Sequence, residues 1–109
     1  MPKKRWFRLF GMDCLASPRV QAMTNAQFGA YVRLLILAWD DPNCSLPANR
    51  ITLNMMAKWD EKDAQLEPVL ECFAKHPTKR GRLYNPRLYE EFQYCQEKSK
   101  KAEIGRAHV

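Results

Sequence analysis

Residues 50–85, RITLNMMAKWDEKDAQLEPVLECFAKHPTKRGRLYN, hold two short helical patterns followed by a hairpin pattern. Ile51, Met55 and Trp59 recur at four-residue spacing with Met56 beside them, which predicts a helix over about 50–58. Asp60 can cap the next helix, whose apolar positions are Leu66, Val69, Leu70 and Phe73. Pro68 falls inside that pattern and is expected to kink or divide it, because proline removes a helical N–H and crowds the preceding turn. Cys72 to His76 and Arg82 to Asn85 then flank the turn signal Pro77-Thr-Lys-Arg-Gly81, as the arms of a β-hairpin do.

Upstream, Thr24 and Gln27 match a capping box, in which hydroxyl and amide each satisfy a free backbone N–H, and Met23 and Phe28 sit where a hydrophobic staple would. Phe28, Tyr31, Val32, Leu35 and Trp39 follow at helical spacing, widened by Leu34 and Ala38. Only Arg33 places a formal charge within 26–39, so this helix is expected to be central to the core; Asp40, Asp41 and Pro42 end it. Residues 42–49 read as a loop, and residues 5–10, Arg-Trp-Phe-Arg-Leu-Phe, as one edge strand. Downstream, Asn85 is a good N-cap and Pro86 suits the first turn of a last helix. Leu88, Phe92 and Cys95 form its inward side, and Glu97 stands four residues before Lys101. The order strand, helix, loop, helix, helix, hairpin, helix predicts a mainly α chain with a small β-hairpin (α+β), namely a winged helix-turn-helix. The hairpin would be the wing beside the second helix of the pair.

At 109 residues and 46% hydrophobic content, one packed domain is expected and wholesale disorder is excluded. The longest strongly apolar run, Leu34 to Trp39, is far short of the roughly 20 residues a bilayer span needs. Lys3, Lys4 and Arg5 imitate the start of a secretory signal, but Arg8 and Asp13 interrupt the apolar stretch it would need. The cytoplasm is the expected address. Cys14, Cys44, Cys72 and Cys95 are scattered without a CxxC pair, so they read as ordinary thiols rather than zinc ligands or staples. Residues 103–109, Glu-Ile-Gly-Arg-Ala-His-Val, match in all seven codons the translation of a common sequencing-adapter oligonucleotide, GAG ATC GGA AGA GCA CAC GTC. The domain is therefore expected to occupy 1–102, in a natural protein that continues past Ala102.

The formal net charge of +6 is unevenly placed. Residues 1–20 carry Lys3, Lys4, Arg5, Arg8 and Arg19 against Asp13; residues 21–74 balance to −3 and residues 75–109 to +5. Basic ends around an acidic middle fit a polyanion that meets only part of the surface.

Trp6-Phe7, Pro18-Arg19-Val20, Met23-Thr24, Gly29-Ala30-Tyr31 with Arg33-Leu34-Leu35, Ala38-Trp39 and Leu46-Pro47 are short motifs spread along the first half of the chain. With Leu66-Glu67-Pro68, Phe73, Arg82-Leu83-Tyr84-Asn85 and Arg87-Leu88-Tyr89-Glu90-Glu91, they make nearly all of residues 5–101 resemble a domain family of unknown function common in phages and prophages. That family often stands at the N-terminus of replication-initiation or replisome-organiser-like proteins. The resemblance implies a winged-helix fold and a nucleic-acid or replication role.

One feature departs from a simple DNA reader. The third helix, which would lie in the major groove, carries Asp60, Glu61, Asp63, Glu67 and Glu71, leaving Lys62 and Gln65 as its plausible readers. Lys79, Arg80 and Arg82 around Gly81 are the stronger nucleic-acid candidates, since a projecting turn can follow a phosphate line. Lys3, Lys4 and Arg5 would form a phosphate-tracking arm, and Lys98, Lys100 and Lys101 extend the last helix. Trp6, Phe7, Tyr31, Trp39 and Trp59 read as packing, whereas Tyr84, Tyr89 and Tyr94 could go either way. Asp40-Asp41 read as solvated residues at a helix end and His76 as a surface turn residue. Neither GxxxxGK[ST] nor GxGxxG occurs, so no enzyme activity, cofactor or metal is expected. Two functions stand: DNA binding by wing and termini, or docking of a replicative helicase or its loader on the acidic third helix. Reversing Arg80 and Arg82 should abolish the first, and reversing Asp63 and Glu67 the second.

Overall fold

The computed structural model describes residues 17–62 and 64–107, with side chains up to residue 98. The expected strand over 5–10, the arm Lys3, Lys4 and Arg5, and Asp63 lie outside them, as do the side chains of Lys100 and Lys101. In chain order the elements are α1 (Pro18–Gln21), α2 (Asn25–Asp40), β1 (Leu46–Pro47), α3 (Arg50–Ala57), α4 (Glu67–Leu70), β2 (Ala74–Lys75), β3 (Arg82–Tyr84) and α5 (Pro86–Ala107). Helices surround a small three-stranded antiparallel sheet of order β1-β3-β2, so the chain is α+β as expected.

α2 begins as its sequence dictates. Gln27 N–H donates to Thr24 Oγ1 at 3.1 Å and Thr24 N–H donates to Gln27 Oε1 at 2.8 Å, closing the capping box. The same Gln27 side chain donates through Nε2 to the Gln65 carbonyl at 2.8 Å, tying the helix start to the segment ahead of α4. Ala30, Tyr31, Leu34, Leu35, Ala38 and Trp39 are buried along one side, and Met23 and Phe28 pack partly buried against the same core. Leu46, Leu53, Leu66, Val69, Phe73, Leu88 and Phe92 complete it. Each such aliphatic or aromatic side chain stabilises the fold by roughly 1.5–3 kcal/mol.

Three expectations need correction. The first concerns the apolar row Ile51, Met55 and Trp59, which predicts α3 but does not face the core throughout. Leu53 and Ala57 are buried on this helix, whereas Ile51 and Met55 are each 73% exposed. Two rows at four-residue spacing run along this helix, and packing against α2 selects the narrower one. Asn49 caps α3 by accepting from Thr52 N–H at 3.0 Å, and Lys58 ends it in a left-handed conformation (φ 51°). The second concerns residues 60–73, expected as a helix from Asp60 that Pro68 kinks or divides. Among the described residues of that range the helix is the single turn α4, with Pro68 in its first turn rather than at a break. Leu66, Val69 and Phe73 are still buried, which needs no helix before Leu66. The third concerns residues 42–49, read as loop. They include β1, whose Leu46 pairs with Leu83 and whose Pro47 pairs with Arg82. Cys44, at φ 51°, helps turn the chain into that strand.

The hairpin and last helix form where expected. Ala74 pairs with Tyr84 and Lys75 with Leu83. Asn85 caps α5 by accepting from Leu88 N–H at 2.9 Å, while its own amide donates to the Cys72 carbonyl at 3.0 Å. Leu88 and Phe92 are buried, Cys95 is half-buried, and Phe92 meets Trp39 edge-on at 6.3 Å.

Arg50 Nη1 pairs with Glu67 Oε1, joining α3 to α4. The Arg50 hydrogen bond holds the Glu67 carboxyl below its usual range, helped by a backbone hydrogen bond. Because the folded value lies below the unfolded one, the stabilisation is present above the unfolded pKa and lost as pH falls through the folded value. The pair is about half exposed, so the effect is small and screened by salt. On acidification from neutral pH to well under 4.5, the native chain should lose more thermal stability than Glu67→Gln. Parallel melting curves for the two would remove the pair from the acid response.

Candidate nucleic-acid interface

The β2–β3 hairpin is fixed at its base from three sides. His76 N–H donates to the Arg82 carbonyl at 2.9 Å, closing the hairpin ahead of its turn. Ala48 N–H donates to the Gly81 carbonyl at 2.9 Å, attaching the turn's end to the segment after β1. Gly81 takes φ +72°, a left-handed conformation that glycine adopts without a Cβ penalty.

Arg82 supplies the third anchor. Its Nε donates to Ser45 Oγ at 3.0 Å, and its Nη2 to Asp41 Oδ1 at 2.9 Å and to the Ser45 carbonyl at 3.0 Å. The two charged side chains are 28% and 24% exposed. Asp41 Oδ2 also accepts from Asn43 N–H at 2.9 Å and Ser45 Oγ at 3.3 Å. Asp41 is thus a structural hub holding the end of α2, the turn into β1 and β3 together, rather than a solvated helix-end residue. Arg82, expected at the nucleic-acid surface, directs these donors back into the protein.

His76 is the other residue whose sequence reading changes. Instead of a surface turn residue, it is only 9% exposed. Its ring lies 5.5 Å from Tyr84 and 5.4 Å from Tyr89, and those two tyrosines meet edge-on at 5.4 Å. Nδ1 accepts from Thr78 N–H at 3.2 Å and Lys79 N–H at 3.1 Å. A histidine two and three residues before those amides has the spacing of an Asx-type turn. That is the one local signal that could have flagged it.

Beyond these anchors, Lys75, Lys79 and Arg80 are exposed. None of them takes part in the ion pairs seen among the described residues. Residues 72–89 contain no Asp or Glu, so no acidic side chain of the same segment offsets these charges. Lys62 and Gln65 are also exposed, but on the irregular segment before α4 rather than on a helix. They stand apart in sequence from the hairpin cations, with the acidic residues Glu67 and Glu71 between. Arg87 pairs with Glu90 at 3.5 Å on α5, and Lys98 lies over the Tyr94 ring at 5.4 Å. Tyr31 and Trp39 are buried and Trp59 is half-buried, as packing residues should be; Trp6 and Phe7 lie outside the described residues.

Cys44 is buried, and Cys72 and Cys95 are half-buried. Among the described residues no helix is long and apolar enough to cross a membrane, and no group of three His, Cys, Asp or Glu could hold a metal ion. Comparison with protein-family models, curated proteins and solved structures finds no match to this chain.

Proposed function

We propose that this chain is a DNA-binding domain of winged-helix type, belonging to a replication-initiation protein of phage or prophage origin. The β2–β3 hairpin is its wing, and Lys75, Lys79 and Arg80 grip the phosphate backbone. One observation carries this reading: an acid-free, exposed cationic turn stands on a hairpin base anchored by Ala48, His76 and Arg82. The one-turn α4 and its acidic surroundings make insertion of a recognition helix into the major groove a poor fit, so affinity is mainly electrostatic. Duplex is preferred to single strands, because Tyr84 and Tyr89 are packed with His76 and do not form an open stacking platform.

Fluorescence anisotropy with a labelled duplex and a single strand of the same length, over a range of salt concentrations, tests this. Duplex binding should weaken with a log–log salt slope of about −3 if three cations each meet a phosphate. A folded, monodisperse sample that binds no duplex at low salt would overturn it.

A second reading, a module that docks a replicative helicase or loader, draws on Ile51 and Met55, each 73% exposed on α3. They stand in sequence beside the acidic stretch Asp60 to Glu71. Under that reading Ile51→Lys with Met55→Lys abolishes partner capture and leaves DNA affinity intact.

A further inference from the structure

We infer that His76 sets the shape of the wing turn and so acts as a positioning residue for the contacts of Lys79 and Arg80, an inference that rests on the DNA-binding reading. The geometry is specific. A single acceptor, Nδ1, takes the backbone N–H groups of Thr78 and Lys79 at 3.2 and 3.1 Å, with Thr78 Oγ1 at 3.4 Å. Those amides belong to the middle two residues of the four-residue run Pro77-Thr-Lys-Arg80, which has no strand partner among the described residues. Fixing them fixes the direction in which the next two side chains leave the backbone.

The tautomer follows from the same contacts. A nitrogen that accepts from two N–H groups must present its lone pair, so the ring proton resides on Nε2. That Nε2 is buried and has no hydrogen-bond partner among the described residues. A buried donor without an acceptor is costly, and a ring needed only for packing between Tyr84 and Tyr89 would be better supplied by phenylalanine. The arrangement makes sense if the acceptor on the other nitrogen is what the site requires. Preorganising a loop lowers the ordering cost that binding would otherwise incur.

Two substitutions separate the acceptor from the packing. His76→Phe keeps an aromatic ring and removes the acceptor. His76→Asn gives up the ring but places Oδ1 on Cγ, where Nδ1 is attached. His76→Phe should remain folded, move the backbone amide resonances of Thr78 and Lys79, and weaken duplex binding about tenfold. His76→Asn should return both resonances and affinity towards the native values despite its poorer packing. If His76→Phe binds as the native chain does, or His76→Asn binds no better than His76→Phe, the positioning role is wrong. Nitrogen-15 spectra of the unmodified chain give a readout independent of any ligand and of variant stability: the proton must be on Nε2, and a proton on Nδ1 overturns the inference. Should the native chain bind no duplex, the DNA-binding reading falls, and with it the positioning of phosphate contacts. The tautomer and the Thr78 and Lys79 resonances would still decide whether His76 shapes the turn.

Discussion

Replacing Lys79 and Arg80 together with glutamate is expected to weaken duplex binding about a thousandfold at low salt, since two attractions of about 1 kcal/mol each become repulsions of similar size. The melting temperature should hardly change, because both side chains are exposed and neither enters an ion pair among the described residues. The salt slope should become shallower by about two phosphate equivalents. Anisotropy titrations with the native and doubly substituted chains give the affinity and the salt slope, and thermal melts of the two give the third quantity. An affinity that stays within about threefold of native would remove the hairpin turn from the interface. Pairing Arg80 with Arg82 in such a test would confuse binding with folding, for reasons that the next substitution makes plain.

Arg82→Ala is expected to lower folding stability by about 2 kcal/mol, or roughly 10 °C in melting temperature. Three hydrogen bonds disappear, and Asp41 keeps its charge in a half-buried setting where Asn43 and Ser45 are neutral donors. The figure lies below that of a fully buried pair because each side chain retains about a quarter of its exposure. Arg82→Lys should recover only part of the loss, since an ammonium cannot meet Ser45 and Asp41 through a planar fork. A double-mutant cycle with Asp41→Asn isolates the pair from the arginine's contact with Ser45. A cost under about 0.5 kcal/mol for Arg82→Ala would mean that the sheet is held by strand pairing alone.

What the sequence conveyed is mostly local. The capping box at Thr24 and Gln27, the Asn85-Pro86 entry to α5 and the Gly81 turn each depend on residues within a few positions of one another, and each formed as expected. What it did not convey depends on distant partners. β1 has two residues, one of them proline, and becomes a strand only because Leu83 and Arg82 lie opposite. On α3 the row Ile51–Met55 and the row Leu53–Ala57 are both apolar, and only the position of α2 decides between them. The apolar positions of 60–73 all begin at Leu66, so Asp60 was a cap without a helix behind it. At the candidate site, composition pointed to the cationic turn. It could not separate Arg82, directed inward by Asp41, from Arg80 two residues earlier, nor bury His76 between tyrosines that lie downstream in the chain.

The small sheet also limits how another protein could recognise this domain. β1 and β2 have two residues each and flank β3 on either side; Pro47 has no N–H to give, and Lys75 places a charge on the other strand. These strands offer an incoming fourth strand almost no main chain to pair with. Recognition by strand addition is thus closed along β1 and β2, and so is the edge-to-edge self-association to which longer bare strands are prone. Whatever docks along these strands must read side chains.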